Sequence, residues 1–300
     1  MPSLRGIHNV LKAEGLAGLM GRVYRRVLPY RSRFLPEGRS AFADKTGLEV
    51  GGPSGMFMRH GALAVYPLAA RIDNCNFGHR TTWEGAIATG PTFHFDPARP
   101  PGQQYVAEAT DLTGIASSTY DFVLSSHMLE HSANPLKALT EWLRVLKDGG
   151  TLALALPHRD GTFDHRRPVT PMAHLVEDFE RDMGEDDLTH LDEILRLHDL
   201  HRDPEAGDAQ AFAERSRRNV ENRCLHQHVF DTRLAIEITD HLGLQVLSVD
   251  VFRPHDILLI TRKPAPGQVV DNRQFRSPQA ADAWRSPFPT DRQPLPGNRP

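Results

Sequence analysis

Residues 120–157, YDFVLSSHMLEHSANPLKALTEWLRVLKDGGTLALALP, constrain the fold more than any other stretch of the chain. Residues 120–125 and 151–156 are short, continuous apolar runs, the pattern of strands buried on both faces. Between them Leu136, Leu139, Leu143 and Leu146 recur at three- and four-residue intervals, which puts them on one face of a helix. Asn134 is placed to cap that helix, Pro135 suits its first turn, and Asp148-Gly149-Gly150 ends it. Strand, amphipathic helix and second strand make a right-handed βαβ unit of a parallel sheet. Such sheets take their ligands beyond the carboxyl ends of the strands. Ser125, Ser126, His127, Glu130 and His131 fall at one of those ends.

The string D-x-V-x-S-x-H-x-L-E-H, then R-V-L-K-x-G-G and an apolar strand ending in Pro157, resembles the class I S-adenosylmethionine (SAM)-dependent methyltransferases with a methyltransferase type 11-like domain. Upstream, residues 45–55, KTGLEVGGPSG, resemble the glycine-rich first motif of that family, with Pro53 where a second Gly commonly falls. The resemblance implies an α/β, Rossmann-like sandwich with a mostly parallel sheet. An antiparallel C-terminal hairpin would come from residues 244–252 and 257–261. It implies SAM as cofactor, held by Glu49, Gly51, Gly52, Ser54 and Gly55 near its methionine end. Asp73, about twenty residues beyond the glycine loop, would hold the ribose. Asp111 and Leu112 would hold the adenine, and Ser125 and Ser126 would border the cofactor. The second strand is expected within residues 62–73 and the third within 104–111. Thr81-Thr82-Trp83-Glu84 is read as ordinary loop packing.

Composition narrows the setting. A formal net charge of -3 gives no global reason for nucleic-acid binding. Two cysteines, Cys75 and Cys224, are too few for a disulfide framework and fit a reduced, cytoplasmic setting. No apolar run is long enough to span a membrane. Residues 1–40 form a basic lead of helical spacing, compatible with packing on the catalytic domain or with resting on an anionic membrane at its inner face. Residues 41–157 and 229–263 are assigned to the core, and 158–228 to an inserted polar lid over the acceptor site. The proline-rich residues 264–300 are expected to form a disordered or extended tail, with Trp284 and Phe288 on it.

The lid is rich in His and acids. His127, His158, His165, His226 and His228 are the candidates for a group that touches the acceptor, one of them taking its proton as general base. Residues Asp164, His165, Asp186, Asp187, His190, His226 and His228 also offer ligands for a divalent metal; His226 and His228 would share a face if their segment were a strand. Ordinary pairing among these charges is preferred, and no metal is assigned. The polarity of the lid points to O-methylation of a hydroxylated acceptor such as a sugar of a surface glycan or its precursor. A small hydroxylated metabolite or quinone is the alternative acceptor. A catalytically inactive, SAM-binding scaffold is the alternative of a different class.

Overall fold

The computed structural model describes residues 30–276, 280 and 284–293. The basic lead up to residue 29 lies outside the described residues. The strands are β1 Thr46–Val50, β2 Arg71–Asn76, β3 Arg80–Thr81, β4 Gly85–Ala86, β5 Gly90–Phe93, β6 Gly102–Val106, β7 Tyr120–Ser126, β8 Leu146–Pro157, β9 Gln245–Phe252 and β10 Asp256–Arg262. Eight of them form one sheet in the order β5-β6-β2-β1-β7-β8-β10-β9, and β3 and β4 form a separate hairpin. The run from β6 to β8 is parallel, β10 and β9 are antiparallel, and β5 adds an antiparallel edge. This is the expected α/β Rossmann-like methyltransferase sheet with its C-terminal hairpin.

Strand alternation sorts the core into two layers. Leu152, Leu154, Leu156, Ile257 and Leu259 face one side, and Ala153, Ala155, Leu258 and Ile260 face the other. Helix α1 (Pro135–Val145), capped by Asn134, buries Leu136, Leu139 and Trp142 against the first side. The expected turn at Asp148-Gly149-Gly150 is an irregularity inside β8, with Gly149 at φ +74. The second side is covered differently. After the glycine loop the chain makes turns, and Phe57, Leu63, Val65 and Tyr66 pack there with Phe42. The second strand therefore begins at Arg71, later than expected, and Asp73 lies within it.

The insertion leaves the sheet at His158 and returns at Phe230, and the two residues pair as a parallel bridge. Between them lie α2 (Met172–Glu180), α3 (Leu191–Leu197) and α4 (Ala209–Arg217). Helices α3 and α4 share a small apolar cluster of Ile194, Ala206, Phe212 and Leu225, while Leu175 of α2 packs into the helix-side core. Helix α5 (Thr232–His241), capped by Asp231, then leads back to β9.

The expected tail is not extended at residues 284–293. Trp284 and Phe288 are buried in the helix-side core, and Phe288 stacks on His158 with ring centroids 4.2 Å apart. Asp291 accepts hydrogen bonds from Thr232 and Ser286, each at 2.6 Å. Two apolar rings and a buried carboxylate with partners give this stretch an anchorage that its proline content conceals. Among the described residues no helix is long and apolar enough to cross a membrane.

Candidate active site

A cavity of about 310 Å³ opens at the carboxyl ends of β1, β2, β6 and β7, within the size range of small-molecule sites. One wall is the glycine loop. Gly51 has φ +85, and a Cβ there would come within 2.8 Å of Met128, so only glycine keeps this wall open. The loop is pinned from below. Asn74 and Asn76, two apart on β2 and so on the same face, both donate to the Gly52 carbonyl, at 3.0 and 3.1 Å. Asn74 also accepts from the Gly52 N–H. Tyr66 donates to the fully buried Glu49 carboxylate at 2.5 Å and accepts from the Ser54 N–H at 2.9 Å. Burial pushes the Glu49 carboxyl up to about 8, with the Tyr66 hydrogen bond offsetting part of the effect.

The opposite wall is charged. Ala107, Glu108 and Ala109 follow β6, and Arg223 of the insertion bridges Glu108 at 2.7 Å and Glu185 at 2.8 Å. Burial raises the Glu108 pKa against the opposing Arg223 charge. The β3–β4 hairpin adds Thr81, Trp83 and Glu84. Trp83 is 58% exposed at the mouth, 5.4 Å from the ring of His131.

The floor carries the imidazoles. His127 follows β7 at φ +51, and its Nε2 lies 3.0 Å from an Asp256 carboxylate oxygen. Burial opposes charging this ring, but the Asp256 hydrogen bond and the Glu130 charge outweigh it and raise its pKa. Glu130 is fully buried, and neither of its oxygens has a hydrogen-bond partner. His127 Nδ1 and His131 Nε2 stand 3.7 and 4.0 Å from it. Burial raises the Glu130 pKa, while burial and the nearby His226 push His131 down to about 3.

The sequence expectations divide on this geometry. Gly51, Ser54, Gly55, Ser126 and His127 line the cavity. Glu49, Gly52 and Ser125 lie behind its wall, and Ser125 donates to the Val50 carbonyl. Asp73 is not on the wall: its carboxylate accepts from Tyr120 and from the Gln103 N–H, because the strand continues three residues past it. Asp111 is also off the wall, in a turn with Thr113, and the Leu112 N–H donates to Glu141. The strand before them ends at Val106, so Glu108 reaches the cavity instead. Thr81, Trp83 and Glu84, read as loop packing, line it as well.

The four lid histidines do not line it. His158 is fully buried against Phe288 and lies 3.2 Å from Asp291. His165 pairs with Asp199 at 2.9 Å. The segment from Arg223 to His228 is not a strand, so His226 and His228 part company. His226 binds Asp164 at 2.6 Å and packs on His131, and His228 turns to His174 and His190.

A family model described as "Methyltransferase domain" matches residues 93–154. Structural similarity extends to SAM-dependent methyltransferases from Aquifex aeolicus (10% identity, 80% of this chain and 93% of that chain, TM-score 0.42) and Mesorhizobium loti (13%, 77% and 98%, 0.43). A SAM-dependent methyltransferase structure from Listeria monocytogenes aligns at 18% identity over 77% of this chain and 98% of that chain, TM-score 0.42. No curated protein matches the sequence.

Proposed function

We propose that this chain of class I methyltransferase fold, a SAM-dependent methyltransferase by its domain pattern, methylates a hydroxyl group of a polar acceptor. The observation that carries the reading is the strand-end cavity, with a glycine wall on one side and the His127–Asp256 pair at its floor.

The residues present suit SAM. Gly51 to Gly55 and Ser126 offer backbone and small side chains to a close-lying ligand. Glu84, Glu108 and Glu185 surround the cavity with carboxylates, which favour a cation over an anion. When bound, SAM supplies an activated sulfonium methyl group. The protein's part is then positioning and proton removal. His127 is placed to take the proton of the acceptor's hydroxyl, the oxygen to which the bound cofactor would supply its methyl group. Asp256 behind the ring orients it and favours its protonated form. Trp83 at the mouth offers a flat apolar surface to a ring-shaped acceptor, and the adjoining charged groups suit its hydroxyls. A sugar of a glycan or its precursor meets both demands.

Calorimetric titration with SAM and S-adenosylhomocysteine tests the cofactor half. Saturable binding is expected in the wild type and in Asp111→Ala, and none in a folded Gly51→Arg. Loss of binding in Asp111→Ala with retention in Gly51→Arg would reverse the assignment of the cavity. The acceptor half is tested by turnover against sugar and aromatic hydroxyl acceptors. His127→Ala should lower kcat by roughly 10²–10⁴-fold while leaving SAM affinity near wild type. Turnover of aromatic hydroxyls alone would replace the sugar reading.

A further inference from the structure

Three histidines and one aspartate of the insertion converge away from the cavity. His174 and Asp178 lie one turn apart on α2, which places them on the same face. His190 directly precedes α3, and His228 lies on the return segment before α5. His174 Nε2 stands 3.0 Å from His190 Nε2 and 3.4 Å from Asp178 Oδ2. His228 Nε2 is 3.7 Å from the same carboxylate oxygen. One nitrogen of each imidazole lies within 4.8 Å of one nitrogen of each of the others.

Hydrogen bonding accounts for only part of this cluster: His174 Nε2 and His190 Nε2 share one bond, and His228 Nε2 lies 3.4 Å from the Ala133 carbonyl. Asp178 is 3% exposed, yet its Oδ2 has no hydrogen-bond partner. His228 is 1% exposed, and its Nδ1 has none either. A buried carboxylate oxygen facing imidazoles is costly unless a positive charge meets it. Imidazoles grouped beside a buried carboxylate are what a divalent metal binds. In a tetrahedral zinc site, bonds of about 2.0–2.1 Å leave the ligand atoms roughly 3.3 Å apart. The measured separations of 3.0, 3.4 and 3.7 Å bracket that value.

We propose that His174, Asp178, His190 and His228 form a structural zinc site that fastens the insertion to the catalytic core. Three imidazole nitrogens, with the Asp178 carboxylate beside two of them, would fill the four positions of a closed, structural site. The core side of the attachment is already in place. Asn134, the cap of α1, donates to the Asp178 carbonyl, and the His228 N–H donates to the Glu130 carbonyl. Glu185 lies in sequence between the ligands Asp178 and His190, and it holds Arg223 at the cavity. The metal would therefore fix the charged wall of the cavity from behind.

The test uses the full-length protein and zinc itself. After exhaustive chelation, titration with Zn²⁺ under competition from a chromophoric chelator should give one tight site per chain. Cobalt substitution should give the visible spectrum of a tetrahedral ion. His190→Ala and His174→Ala should each weaken zinc binding at least tenfold, and His226→Ala should not. The folded state of each variant is checked by circular dichroism. The spectrum of cobalt-loaded wild type needs no substitution and stands if a variant fails to fold. No stoichiometric site in wild type, an octahedral cobalt spectrum, or a site lost in His226→Ala but kept in His190→Ala would overturn the proposal. The last outcome would move the metal to Glu130, His131 and His226. SAM binding is read separately, so failure here leaves the cofactor assignment intact.

Discussion

The sheet and the insertion are held together by different physics. On the sheet, most of the buried side chains of the central strands are apolar and pack in two layers. In the insertion only Ile194, Ala206, Phe212 and Leu225 form a dry cluster. Around them, Arg167 is 1% exposed and binds Asp164, Glu193 and the carbonyls of His226 and Gln227. Apolar burial tolerates imprecision and is indifferent to which partner fills the space. Buried charges tolerate neither, because a missing partner leaves a desolvated ion. The sheet can thus hold its strand-end geometry through packing, while the insertion depends on one particular arrangement of partners.

Removing one charge should break this contrast most visibly. Arg167→Ala leaves the buried Asp164 with its His226 contact alone and leaves two carbonyls without the Arg167 donor. A loss of about 3–5 kcal/mol is expected in the stability of the insertion. Native-state hydrogen exchange should show the loss in residues 158–228 and little change in β1, β7 and β8. Equal loss of protection in those strands would mean that the two regions unfold as one unit.

Among the buried charge-bearing groups of the sheet itself, with Asp73, Asp250 and Asp256, is Glu49 of β1. Its folded pKa is raised to about 8 by burial, against an unfolded value of about 4.3. The fold therefore favours the protonated form. The contribution is full below the unfolded value, falls as pH rises, and is gone above about 8. A decline on the order of a few kcal/mol between pH 5 and 8 follows from that interval. Glu49→Gln keeps an acceptor for Tyr66 and should flatten the decline. Urea denaturation of ligand-free protein across this range measures it, and an unchanged slope in the variant would assign the decline to other groups.

What was legible in the sequence follows the same division. The βαβ unit could be read because Leu136, Leu139 and Leu143 repeat locally and the strands on either side are apolar throughout. The glycine wall could be read because Gly51 must adopt a conformation other residues resist. Asp73 and Asp111 misled because a sequence interval stands for a strand end only when the strand begins where it is expected. Here β2 starts beyond Pro67 and ends at Asn76, and β6 ends at Val106. The pair Asn74-x-Asn76, two carboxamides at alternate positions on one face of the strand, was the available sign of that end. Arg223, Glu185 and Asp256 could not be found this way. Arg223 and Glu185 reach the cavity from the insertion, Asp256 meets His127 from the C-terminal hairpin, and no local pattern encodes those partners. The His174, His190 and His228 cluster is likewise assembled from three separate segments.

The smallest effect sharpens the comparison by placing the same kind of interaction on the sheet's surface. Lys147 of β8 pairs with Asp121 of β7 at 2.7 Å, with the two side chains 45% and 28% exposed. Water already solvates both ions, and salt screens them. Lys147→Ala should cost no more than about 0.5–1 kcal/mol by urea denaturation, and less at high salt. Asp121 keeps the Thr46 N–H at 3.1 Å and stays in contact with water, whereas Asp164 in Arg167→Ala loses a charged partner while buried. A loss comparable to that of Arg167→Ala would show that pairing, and not burial, sets the energy of both. A small, salt-sensitive loss would leave burial as the difference between the regions.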